Sequence, residues 1–111
     1  MKRPVALGEF EQIVLLAILR LGDEAYGVTI REEIAACTGR EPSPGALYTT
    51  LTRMEEKRAI RSWLGEATLI RGGKAKRHVA VTEQGRKALS DSQRAYQRLL
   101  RGLNLLGGTD A

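Results

Sequence analysis

The segment from Arg40 to Lys57 constrains the chain most, because it specifies the start and both faces of one helix. Ser43 is placed to cap it, its hydroxyl accepting a backbone N–H of the first turn. Pro44 follows at the first helical position, where a missing N–H costs nothing. Leu47, Leu51 and Met54 recur at helical spacing and predict a face turned toward a core. The opposite face carries Gly45, Ala46, Thr49, Thr52, Arg53 and Glu56, with Tyr48 at the border. Small, hydroxylated and cationic side chains suit close approach to phosphates and base edges. An ordinary amphipathic surface helix has the same periodicity, so the neighbouring segments must separate the two readings.

Upstream, Gly8 to Leu21 predicts a first helix. Phe10, Ile13, Val14, Ala17, Ile18 and Leu21 form a wide apolar face, and Leu15, Leu16 and Leu19 extend it almost all round. So apolar a helix in a small domain needs cover on more than one side, which points to an oligomer interface. Tyr26 to Thr38 predicts a second helix with Val28, Ile30, Ile34 and Cys37 buried and Gly39 as its C-terminal stop. Cys37 then reads as a small core residue.

Downstream of Arg58, Ile60, Ser62 and Leu64 alternate with Arg61, Trp63 and Gly65, and Val79 and Val81 alternate with His78 and Ala80. Period two predicts two short strands. Gly72-Gly73 supplies the turn between them, and Arg71, Lys74, Lys76 and Arg77 surround it. A hairpin tip of glycine and cation has little to pack against and is well suited to a phosphate backbone. Thr82 caps a last helix running to about Leu106. Leu89, Ser92, Tyr96, Leu99, Leu103 and Leu106 form a heptad seam with one polar interruption, while Gly85 and Gly102 weaken the helix.

The 111 residues suit one small core. Cys37 and His78 are the only residues of their types, so an internal disulfide is excluded and a Cys/His zinc site has too few ligands. No apolar run is long enough to span a bilayer. The flank of the longest one carries Glu9 and Glu11, unlike a secretory signal, so a cytoplasmic protein is expected. The net charge of +5 is unevenly spread: residues 1–37 carry −2, residues 38–81 carry +5 and residues 82–111 carry +2. The excess lies on the third helix and the hairpin, which favours a polyanionic partner over a merely solvated face.

The order helix, helix, helix, strand, basic hairpin, strand, long helix is that of a winged helix-turn-helix followed by a dimerisation helix, a mainly α fold with a small β-hairpin wing. At this level the chain resembles the PadR family of bacterial transcriptional regulators. The matching residues are Leu7-Gly8, Tyr26-Gly27, Ser43-Pro44-Gly45-Ala46-Leu47-Tyr48, the stretch Leu51 to Glu55, then Ile60, Trp63 and Glu66, and Thr82-Glu83-Gln84-Gly85-Arg86. The match covers roughly residues 7–100. It departs from the family at Thr49, where proline is common, and at His78-Val79, where two aromatics are common. The resemblance implies a homodimeric DNA-binding repressor whose last helix packs on the partner's first helix. The chain resembles the short branch of the family, with no larger effector domain.

The domains expected are 1–81 for the winged helix-turn-helix and 82–107 for the dimerisation helix, with 108–111 a disordered tail. The expected DNA contacts are Tyr26, Ser43, Pro44, Gly45, Ala46, Tyr48, Thr49, Thr52, Arg53, Arg71, Lys74, Lys76 and Arg77. Tyr26 is equally suited to a phosphate or to packing at a helix start. Arg53 suits a base or phosphate contact, or a surface pair with Glu56. The expected dimer contacts are Phe10, Val14, Ile18, Leu89, Tyr96, Leu99, Leu103 and Leu106. Trp63 reads first as a strand packing residue and Tyr96 as a residue near the dimer axis. The resemblance also implies a response to small aromatic compounds, and these two residues would then line the effector site. The partners expected are therefore duplex DNA and a second copy, with no cofactor and no membrane. A winged helix can also serve as a protein-interaction module, although a lysine-bearing wing is unlike a protein interface. An enzyme fits least, since no nucleophile and base are paired in the sequence.

Overall fold

The computed structural model describes residues 6–65 and 76–106. Four helices and one antiparallel pair of strands follow in the order α1 (Glu9–Leu21), α2 (Gly27–Thr38), α3 (Pro44–Glu56), β1 (Ile60–Leu64), β2 (Arg77–Val81) and α4 (Glu83–Leu100), with a short 3-10 turn at Gly22–Glu24. The expected Gly72-Gly73 turn, with Arg71 and Lys74, lies outside the described residues.

Each helix starts and stops for a local reason. In α1 the carboxylate of Glu11 reaches back to the N–H of Gly8 at 2.8 Å, and Gly22 at φ 59° ends the helix. The N–H of Tyr26 donates to the Thr29 hydroxyl at 3.1 Å, so Tyr26 is the N-cap of α2 rather than its first residue. Gly39 closes α2 in the left-handed region at φ 76°, its N–H donating to the Ala35 carbonyl. The Ser43 hydroxyl accepts from the N–H of Ala46 at 3.1 Å, with Pro44 at the first helical position. Thr82 caps α4 in the same way, accepting from Gly85 at 3.0 Å, and its own hydroxyl donates to the Arg58 carbonyl at 2.6 Å. One residue thus starts the last helix and pins it to the turn before β1.

The core joins Val14, Leu15 and Ile18 of α1, Ile30 and Ile34 of α2, and Leu47, Leu51 and Met54 of α3 to Ile60, Val79 and Leu89. The strands pair from Ile60↔Val81 to Leu64↔Arg77. The segment before α2 flanks the far side of β2, through a bridge between Tyr26 and His78 and a bond from the Val79 N–H to the Ala25 carbonyl. The base of the wing is thereby tied to the start of α2 as well as to the core.

Several expectations are corrected. Val14 and Ile18 are buried against their own chain, as is Leu89, so none of them has surface to offer a second copy. Val28 is exposed because it lies at the start of α2, facing a groove rather than the core. Cys37 is exposed, beside a dimple between α1 and α2, because the core ends one turn earlier at Ile34. Helix α4 stops at Leu100 and Gly102 follows at φ 80°, so Leu103 and Leu106 lie beyond the helix on which the heptad placed them. Leu16 is exposed, Leu19 half-buried and Leu15 wholly buried, so α1 has a defined outer edge.

Candidate nucleic-acid interface

Helix α3 presents its two faces as its spacing predicts. Leu47, Thr50, Leu51 and Met54 are buried, whereas Ser43, Pro44, Gly45, Ala46, Tyr48, Thr49 and Arg53 are exposed and Thr52 is half-buried. Tyr48 is 62% exposed, a large ring that the core does not use. Gly45 has open space where a side chain would be, so the first turn of α3 offers backbone to an approaching partner.

Next to this face lies an open groove of about 440 Å³, floored by Leu47 and Leu51 and walled by Tyr26, Val28, Pro44 and Tyr48. Arg31, Lys76 and Arg77 also line it. Their surroundings differ. The Lys76 ammonium lies 4.2 Å from the centre of the Tyr26 ring, at the start of β2. Arg31 donates through Nε to the Pro42 carbonyl at 3.0 Å and so holds the turn that leads into α3. Arg77 donates from Nη2 to Glu55 at 2.6 Å and packs over the Tyr48 ring at 5.3 Å. The structure brings Tyr26, Tyr48, Lys76 and Arg77 together with the start of α3. It places Arg77 at the base of the wing, in an ion pair, rather than free at a tip.

The single histidine packs between two rings. His78 meets Tyr26 edge-on at 5.5 Å and stacks with Trp63 at 5.8 Å, and Arg61 lies 4.8 Å over Trp63. A Cβ on Gly65 would come within 2.7 Å of the imidazole and would force that ring to shift. Trp63 is thus engaged by a cation and a ring on the wing, while Tyr96, the other aromatic expected at an effector site, is exposed on α4.

Ion pairing shapes the rest of the surface. Glu11 is almost wholly buried, and the Lys57 ammonium reaches both of its oxygens, at 2.9 and 3.0 Å. Burial alone pushes this carboxyl up, but the hydrogen bonds from Lys57 and Gly8 outweigh it and hold the group below the usual range. Hydrogen bonds from Ser62 and Arg77 hold Glu55 low as well. Sequence periodicity revealed neither pair, since Glu11 and Lys57 are 46 residues apart and Glu55 and Arg77 are 22 apart. No group of three metal-ligating side chains occurs among the described residues, and no described helix is long and apolar enough to cross a membrane.

The family model for the transcriptional regulator PadR-like family matches residues 15–91, from α1 into α4. The chain belongs to the PadR-like family. A relative is similar over most of its length: the transcriptional regulator Rv3488 of Mycobacterium tuberculosis is 35% identical over 86 residues, spanning 78% of this chain and 74% of that protein. The fold matches that of a PadR family transcription regulator from Clostridium difficile, with a TM-score of 0.69, 24% identity and coverage of 89% and 99% of the two chains. It also matches a PadR-like transcriptional regulator from Bacillus cereus, with a TM-score of 0.70, 23% identity and coverage of 89% and 92%. A winged-helix DNA-binding protein from STIV shares the architecture at a TM-score of 0.63 and 18% identity, covering 84% of this chain and 92% of that one. The PadR-like chain described here is therefore a winged-helix transcriptional regulator.

Proposed function

We propose that this regulator is a homodimeric repressor that binds an inverted-repeat operator, with α3 in the major groove and the wing on the backbone. The exposed face of α3 carries the reading. Its far side is locked in the core, while Ala46, Tyr48, Thr49 and Arg53 face solvent beside a groove bearing Lys76 and Arg31. An α-helix fits the major groove, and side chains of this kind match base edges and the thymine methyl. Phosphate contacts from the N-terminus of α3, from Tyr26 and from Lys76 would fix its register. Arg71 and Lys74, which lie outside the described residues, would add phosphate contacts of the same kind.

Pairing is the second part of the proposal. Tyr96, Leu99, Leu103 and Leu106 are exposed, and Phe10, Ile13, Leu16 and Leu19 leave an apolar edge on α1. A second copy covering both would place two reading helices about one DNA turn apart, on the two halves of a palindrome. A protein seated on such a site blocks transcription by occupying the promoter. A small aromatic effector acting through Tyr96 or Trp63 would relieve it.

The test is selection of bound duplexes from a random pool, followed by titration of the selected site and a scrambled duplex at two salt concentrations. The expected result is an inverted repeat whose affinity falls steeply with salt, by about 0.9 log units per log unit of salt for each phosphate neutralised. Enrichment of nothing, or binding indifferent to salt, would instead favour a protein-docking role for the α3 face.

A further inference from the structure

Glu55 stands where α3 meets the wing, and it touches both strands. Its Oε1 accepts from the Ser62 hydroxyl on β1 at 2.8 Å and from Arg77 Nη2 on β2 at 2.6 Å. Two turns earlier on the same helix, the Tyr48 ring lies 5.3 Å from the same guanidinium. Helix α3 therefore grips Arg77 at two points, by charge and by ring. The Arg77 side chain is left only 27% exposed, beside a carboxylate that neutralises it. A two-stranded hairpin is marginal alone. Beyond the apolar root at Ile60 and Val79, this one oxygen joins both strands to the reading helix.

We infer that Glu55 is a positioning residue for DNA recognition: it sets the angle of the wing against α3 and withholds Arg77 from the phosphate backbone. The inference rests on the DNA-binding reading above. Withholding a cation favours discrimination, because a cation free to meet any phosphate strengthens binding to every sequence alike. Fixing the wing acts in the same direction. A wing held at one angle allows backbone contacts only when α3 is in register with its bases.

The slope of log affinity against log salt counts the cations at phosphates, which a merely structural role for Glu55 would not move. It should be measured with the full chain on the selected operator and on a scrambled duplex. Arg77→Gln is expected to leave the wild-type slope unchanged, since Arg77 meets no phosphate. Glu55→Gln is expected to steepen it by about 0.9, to raise affinity for the scrambled duplex several-fold, and to narrow the preference for the operator. The double variant should regain the wild-type slope yet keep the narrowed preference. Ser62→Ala keeps both charges and loosens only β1. It guards against unfolding of the charge variants and should narrow the preference without changing the slope. A loss of about 0.9 in slope for Arg77→Gln would overturn the inference, because it would put Arg77 on a phosphate in the wild-type protein. Unchanged slope and preference in Glu55→Gln, or unchanged preference in Ser62→Ala, would overturn it equally. A wild-type chain with no salt-dependent duplex binding would overturn the underlying reading first, and this one with it.

Discussion

Glu11 is the most enclosed charge among the described residues, and its partner Lys57 is one-third exposed. Removing one member of such a pair leaves the other short of partners. Lys57→Met should therefore lower stability by on the order of 1–2 kcal/mol, less than for a fully buried pair because water reaches the ammonium. Chemical denaturation measures it. The pair also sets a pH dependence. The folded Glu11 carboxyl titrates below its ordinary value of 4.5, so folding gains from its ionised form. That gain is complete above the ordinary value and disappears as the pH falls through the lower, folded one. Thermal melts from pH 7 to pH 3 should show wild type losing more stability than Glu11→Gln. Cys37 behaves in the opposite sense. Its thiol donates to Glu33 at 3.3 Å, and that bond pushes its pKa up, with Arg20 only partly offsetting it. Though exposed, the thiol should react slowly with iodoacetamide at pH 8, and Glu33→Gln should speed the reaction. Equal rates in the two proteins would refute this account.

At the scale of elements, α4 shows how close packing overrides propensity. A Cβ on Gly85 would stand 2.2 Å from the Ala59 carbonyl and 2.9 Å from Val81. Gly85→Ala would improve an isolated helix, but here it should destabilise the domain by roughly 1–3 kcal/mol, because backbone must move. A rise in melting temperature would contradict the packing. The sequence suggested only a weakened helix at this glycine, since propensity carries no information about what lies opposite. The same limit explains the other differences. Spacing identifies the inward face of a helix, so Ile30, Ile34, Leu47, Leu51 and Met54 were legible. It does not show where the core ends along the axis, so Val28 and Cys37 were misplaced. Capping chemistry is local, and Ser43, Thr82 and Gly39 could be recognised from their neighbours. The partners of Glu55 and Glu11 could not, because those contacts are made only when distant segments meet. The heptad on α4 continues in sequence to Leu106, but Gly102 in the left-handed region accompanies the helix's earlier end.

At the scale of the whole molecule, every residue from Tyr96 to Leu106 is exposed, including Leu99 at 76% and Leu106 at 96%. So much uncovered leucine is uncommon on a protein that stays single. Leu99→Glu is expected to shift the chain toward monomer in equilibrium sedimentation and to weaken operator binding, with the winged helix still folded by circular dichroism. A variant that remained paired would refute a dimer built on α4.

The bare end of α4 also bears on gene dosage. In the proposed dimer, covering the exposed leucines at this end and pairing two chains would be a single bimolecular event. The abundance of pairs then follows the square of the abundance of chains while pairing is weak. If the chain pairs as proposed, a cell that halved its supply would lose about three-quarters of those pairs. The response to dilution, growth or proteolysis would be correspondingly steep, without any ligand.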